Sequence, residues 1–230
     1  MKKLIFSAAL VLSLGLAGCG DESTNEKSKE ETPAAADAGK SQTDEKKTDD
    51  KEAKDDSKEV KDGPLTEAGQ WTMDGDDKVT LVKIKDVNQT YEMGPVKLSI
   101  TSVKLLHHTN VGEELADYVK TALGKDIDGE LNTIQVVYNV ENTTDTDIMF
   151  HAVDTITTDT KAQIMGTYDI AQSTDIGIYK GKVAVEGLTI LPYLNGPLTE
   201  VNSVNIITSD VWDNDNPNTL SPSQKIEITF

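Results

Sequence analysis

The chain has 230 residues, of which 37% are hydrophobic and only 5% aromatic, too few for a chain packed from end to end. Its 22 cations are all lysines and face 40 acids, a net charge of -18; such a chain repels nucleic acid and lacks the guanidinium forks that read phosphates and base edges, so no nucleic-acid partner is expected. The one cysteine excludes an intrachain disulfide and a thiolate zinc site.

Met1-Lys2-Lys3 is a short basic region, followed by a 13-residue mostly apolar run from Leu4 to Leu16 and then Ala17-Gly18-Cys19. The run falls short of the roughly 20 apolar residues that a spanning helix needs, so it reads as an export signal over residues 1–18. Leu16-Ala17-Gly18-Cys19 resembles the lipobox of bacterial lipoproteins. That resemblance implies transfer of a diacylglycerol to the Cys19 thiol and cleavage before it, leaving a membrane-anchored, extracytoplasmic protein. With about 0.8 kcal/mol per buried methylene, two or more acyl chains on Cys19 would hold it firmly at a membrane.

Residues 19–63 read as a lipidated cysteine followed by a disordered, charged linker. From Gly20 to Gly63, 24 of 44 residues are Asp, Glu or Lys and only six are apolar, so the segment cannot offset its ordering entropy by burial. A flexible chain of this length has a root-mean-square reach of about 35 to 40 Å, and about 145 to 160 Å fully extended. Either span lifts a domain clear of lipid headgroups.

The folded domain is expected over residues 64–230, with 11 lysines against 25 acids, or -14. Its apolar period is mostly two, the mark of strands with one buried face. Val79 and Leu81 give way to Val82 and Ile84, and Val96, Leu98 and Ile100 give way to Val103 and Leu105. A pairing strand cannot swap faces without an extra residue, so bulges or sheet-switching bends are expected there. Leu115, Tyr118, Val119, Ala122 and Leu123 instead form a helical stripe, with Glu113, Glu114 and Asp117 at its start and Gly124 where a terminating glycine belongs.

Clean alternation returns at Ile134, Val136, Tyr138 and Val140, and at Ile148, Phe150 and Ala152, joined by the turn-forming Asn142-Thr143-Thr144-Asp145-Thr146-Asp147. Val183 and Val185 give way to Leu188 and Ile190 across Gly187, a third expected bend, and Ile226, Ile228 and Phe230 close the chain. Long bent strands of this kind belong to sandwiches and barrels. Gln135-Val136-Val137-Tyr138-Asn139-Val140-Glu141-Asn142-Thr143-Thr144-Asp145 resembles the central strand of immunoglobulin-like domains in uncharacterised secreted bacterial lipoproteins related to the immunoprotective extracellular antigens. Tyr179-Lys180-Gly181-Lys182-Val183-Ala184-Val185-Glu186 is similar to a later strand of that family, and the likeness spans most of Pro95 to Phe230. It implies an all-β, immunoglobulin-like antiparallel sandwich of about seven to nine strands with one short helix insert. It supplies no catalytic residues.

The candidate chemistry is sparse. His107 and His108 are adjacent on a strand and so point to opposite faces, which disfavours one shared metal ion; with His151 they read as surface or edge residues. No serine lies in a Gly-x-Ser-x-Gly elbow. Asp74, Asp76 and Asp77, and Asp210, Asp213, Asp215 and Asn216, gather the hard oxygens that Ca²⁺ prefers, but neither group has EF-hand spacing, and both read as solvated turns. Trp71 and Trp212 are expected in the core. Cys19 is therefore the one modification site, and no catalytic residue, metal or cofactor is expected. A non-catalytic binding module, with a membrane partner through its lipid and a protein or envelope partner through the domain, is the leading reading. A solute-binding receptor and a cell-envelope enzyme are its rivals.

Overall fold

A computed structural model describes residues 58–171 and 177–230. The export signal, Cys19 and the linker as far as residue 57 lie outside the described residues. The strands are β1 (Trp71–Asp74), β2 (Asp77–Met93), β3 (Val96–Thr109), β4 (Glu130–Asn142), β5 (Ile148–Met149), β6 (Thr155–Thr158), β7 (Gln163–Met165), β8 (Ile178–Tyr179), β9 (Val183–Tyr193), β10 (Ser203–Ile207), β11 (Val211–Asp213), β12 (Thr219–Ser221) and β13 (Lys225–Thr229). Eight of them have four residues or more; the other five are short pieces of two or three.

Every strand pairing is antiparallel. Five strands form the large sheet β1-β2-β3-β4-β9, and two four-stranded sheets, β13-β10-β6-β7 and β12-β11-β5-β8, complete the domain. The all-β sandwich with one short helix, expected from the period-two pattern, is the architecture found. The main core joins Val96, Leu98, Ile100, Val103 and Leu105 of β3 and Ile134, Val136, Tyr138 and Val140 of β4 to Ile148, Ile156, Val204, Ile206, Val211, Ile226 and Ile228 of the smaller sheets and to Phe150 just after β5.

Two of the three expected phase changes are bulges. The β2–β3 register shifts between Leu81 and Lys83, and the β3–β4 register shifts between Ile100 and Ser102. The extra residue in β3 returns Val103 and Leu105 to the main core, and the one in β2 returns Ile84 to a smaller cluster with Leu65, Leu81 and Leu106. The third expectation fails, because β4 and β9 stay in unbroken register from Asn132↔Tyr193 to Asn142↔Val183. Gly187 lies opposite Tyr138 in that ladder, and a Cβ placed on Gly187 would overlap the Tyr138 ring. The glycine makes room for an aromatic neighbour and does not turn the strand.

The helix α1 (Glu113–Leu123) begins with Glu113 and Glu114 and ends at Gly124, whose φ of 68° is the left-handed conformation a terminating glycine adopts. It buries Val119 against Val111 and Leu131, with Leu115, Leu123, Ile127, Ile170 and Leu194 around them. The turn after β4 is pinned by the buried Asn142: its Nδ2 donates to the Thr146 carbonyl (2.8 Å) and its Oδ1 accepts from Thr144 N (3.1 Å).

The packed chain starts before Pro64. Glu59 makes a parallel bridge to Trp71, Val60 N donates to the Trp71 carbonyl (2.8 Å), and Val60 packs against the cluster of Leu65, Leu81 and Leu106. Val60, the one apolar residue of the charged stretch larger than alanine, thus belongs to the domain and not to the linker. Among the described residues, no helix is long and apolar enough to cross a membrane.

Candidate functional site

Strand register carries His107 of β3, Asn132 of β4 and Tyr193 of β9 into one row near an end of the large sheet. His107 Nδ1 lies 2.9 Å from Asn132 Oδ1, and Asn132 Nδ2 donates to the Gly196 carbonyl (3.2 Å). The Tyr193 hydroxyl lies 2.8 Å from Thr160 Oγ1. Beside this row opens a cleft of about 490 Å³, with Ile127, Leu131 and Leu194 as its apolar lining and Asp126, Asp128 and Glu130 as its acids. Asp126 is held by Lys120 at 2.7 Å. The cleft is of ligand-holding size, and its polar groups favour hydrogen-bonding or cationic solutes.

His108 faces the other way, as adjacent strand residues must. Its Nδ1 lies 2.8 Å from Asp77 Oδ2 and its Nε2 3.0 Å from Thr133 Oγ1, so β2, β3 and β4 each supply one member of an Asp–His–Thr line. An ionised carboxylate can only accept, so Nδ1 donates to Asp77, and Nε2 is left to pair with the Thr133 hydroxyl. The order matches that of a nucleophile, base and orienting acid, but Thr133 is 0% exposed. No substrate carbonyl can reach its oxygen, so in this conformation the line is a cross-strand hydrogen-bond chain. Asp77 Oδ1 is buried with no partner.

Three sequence expectations are corrected here. His108 is neither a surface nor an edge residue: it lies, mostly buried, on β3 between β2 and β4. Trp71 is half-buried, with Lys78 Nζ 4.4 Å from its ring centroid, where a cation favours an aromatic face. Trp212 is exposed, because β11 turns Val211 inward and the residue after it must point outward. His151 is exposed, as expected.

The acidic loops spend their oxygens locally. Asp213 Oδ1 accepts from Asp215 N (2.9 Å) and Asn216 N (3.0 Å), and Oδ2 accepts from Asn216 Nδ2 (3.1 Å). The Asn216 side chain and these backbone donors hold the exposed Asp213 carboxyl below its ordinary range. Asp210 Oδ1 accepts from Ser223 N (2.7 Å). Asp74 and Asp77 are opposed across a two-residue turn, yet Asp77 is committed to His108. Among the described residues, no group of three or more His, Cys, Asp or Glu is placed to hold a metal ion.

Asp169 carries no local sequence signal. Its Oδ1 accepts from Ile190 N (2.8 Å) and Ala171 N (2.9 Å), tying the loop after β7 to β9, and burial pushes its carboxyl up against the pull of those two donors.

The domain is thus an all-β antiparallel sandwich with a cleft beside His107 and Asn132. No protein-family model matches the sequence. The chain is 26% identical over 234 residues to the uncharacterized protein YdhF of Bacillus subtilis (strain 168), covering 96% of this chain and 97% of that protein. A functionally unknown protein from Listeria monocytogenes EGD-e is structurally similar, with a TM-score of 0.47 and 14% identity over 66% of this chain and 86% of that one.

Proposed function

We propose that the chain is a bacterial lipoprotein, anchored outside the cytoplasmic membrane through lipid on Cys19 and presenting its β-sandwich as a non-catalytic binding module. The observation that carries this reading is Leu16-Ala17-Gly18-Cys19 directly after a basic start and a short apolar run. The charged stretch that follows suits a spacer, and the sealed Thr133 supports a non-catalytic role. The immunoglobulin-like kinship belongs to the same proposal; it is supported by the position of Gln135 to Asn142 in β4, second from the edge of the large sheet. Metabolic labelling with an alkynyl fatty acid tests the anchor. The parent incorporates label and Cys19→Ser does not; equal labelling of the two would sink the reading.

A second reading, a receptor for a small solute, is favoured by the cleft beside His107 and Asn132. A thermal-shift panel of amines, amino acids and sugars tests it. A ligand whose effect disappears in Asn132→Ala would support it, whereas a panel without any shift would count against it.

A further inference from the structure

The short strands β5, β8, β11 and β12 create an exposed apolar face. Ile148, Tyr179 and Val211 point into the core, so their neighbours Met149, Ile178 and Trp212 point outward. Trp212 pairs with Met149 and Met149 pairs with Ile178, which sets the three in one row across β11, β5 and β8. Directly opposed Cβ atoms lie about 4.5 to 5.5 Å apart, so these side chains are neighbours on one face. Leu220 extends the row: Trp212 pairs with Thr219 and Val211 with Ser221, leaving Leu220 as the extra residue of a bulge. The four are exposed to similar degrees, Trp212 38%, Met149 39%, Ile178 36% and Leu220 38%. Isolated exposed apolar residues need no explanation, but a contiguous row of large ones marks a contact surface.

The surroundings of the row select its occupant by charge. Along one side of the row, the hydrogen bond from Asn214 N to the Asp147 carbonyl (2.9 Å) joins the turn that carries Asp145 and Asp147 to the turn that carries Asp213 and Asp215. The lysines there are Lys180 and Lys182, and Asp145 holds Lys182 at 3.1 Å. The sequence from residue 64 onward carries 25 acids against 11 lysines. A second copy of this chain and an anionic lipid surface would both bring like charge to the row. We propose that Trp212, Met149, Ile178 and Leu220 form a docking surface for a protein segment whose apolar side chains alternate with lysine or arginine. This proposal rests on the reading of the domain as a binding module and names the surface it uses and the chemistry it selects.

The test uses the full chain carrying Cys19→Ser and three fluorescent peptides of about eight residues, alternating Leu-Lys, Leu-Glu and Ser-Lys, in about 0.15 M salt. The Leu-Lys peptide binds, and Trp212→Ser and Met149→Ser each weaken it about tenfold or more, with the Leu-Glu and Ser-Lys peptides at least tenfold weaker on the parent. If Trp212→Ser lowers the melting temperature sharply, Ile178→Ser serves in its place. Equal binding of Ser-Lys would reduce the effect to charge, equal binding of Leu-Glu would remove the charge selection, and unweakened variants would remove the surface; each overturns the proposal. So does a dimer, seen by sedimentation, that Trp212→Ser dissolves, because the occupant is then a second copy. A Trp212-dependent blue shift of emission on phosphatidylcholine vesicles, read in a Trp71→Phe background, would overturn it in favour of lipid. The anchor is scored separately on Cys19 labelling, so this surface can fall while the anchored-lipoprotein reading stands.

Discussion

The Tyr138 ring lies over the backbone of Gly187, its direct partner across the β4–β9 ladder. The ring covers backbone that a glycine would otherwise leave bare in a strand, and the absent Cβ is what gives it room. A side chain as small as alanine at position 187 forces Tyr138 out of its rotamer or the two strands apart.

Gly187→Ala is therefore expected to destabilise the domain by about 1 to 3 kcal/mol, the usual cost of overpacking. The measurement is a double-mutant cycle in urea with Tyr138→Leu as the second change. The cost of Gly187→Ala falls by at least half when the ring is gone; an equal cost in both backgrounds would assign the glycine to backbone conformation.

The packing of Val60 sets the boundary of the domain. A chain beginning at residue 56 melts above one beginning at Pro64, since the shorter chain loses the hydrogen bond from Val60 to Trp71 and the apolar contact with Leu65, Leu81 and Leu106. Together these contribute about 1 to 2 kcal/mol, or roughly 2 to 8 °C in a domain of this size. Coincident melts would return residues 58–63 to the linker.

Asp169 gives a signed pH dependence. Burial raises its carboxyl above the ordinary value of 3.8, so the folded state takes up the proton more readily than the unfolded chain. The stability from that proton is fully present below the unfolded pKa and is lost as pH rises through the folded one. Asp169→Asn keeps the Oδ1 acceptor for Ile190 and Ala171 and removes the buried charge. The melting temperature of Asp169→Asn relative to the parent should rise as pH goes from about 3 to about 7. A relative fall over that range would mean that the charged hydrogen bonds outweigh desolvation.

Calcium gives a negative expectation with a clear opposite. Asp213 has both carboxylate oxygens committed to Asp215 and Asn216, so loose attraction of divalent ions should be screened within about 10 Å at 0.1 M salt. At about 0.15 M salt, millimolar Ca²⁺ shifts the melting temperature no more than Mg²⁺ does. A Ca²⁺-selective rise, about 2.7 kcal/mol at a hundredfold excess over Kd, that disappears in Asp213→Asn would reveal a real site.

Legibility followed sequence distance. α1 and the turn at Asn142 were readable because their signals are local: a stripe, acids at the start, a glycine at the end, turn residues in a row. The bulges near Leu81 and Ile100 were readable because each strand keeps a long record of its own phase. Gly187 showed the same phase change for another reason, since the residue that demands a glycine there, Tyr138, lies in another strand. His108 joins Asp77 and Thr133 only through the register of three strands. Trp212 was misassigned because a three-residue strand has too few positions to display a period. The cleft beside His107 joins three strand ends to the loops before β4 and after β9, so no local run of the sequence signals it.

The central claim, a β-sandwich held outside the membrane on a lysine-rich leash from Cys19, is tested most directly by brief trypsin treatment of intact protoplasts. Nine lysines lie between Gly20 and Gly63, and the strand ladders beyond them resist cleavage. A folded fragment beginning between Ser28 and Asp55 is then released into the supernatant, while a cytoplasmic marker stays intact and the acylated remnant stays with the membrane. Protection of the chain until the protoplasts are lysed, or release of the whole chain without proteolysis, would contradict it.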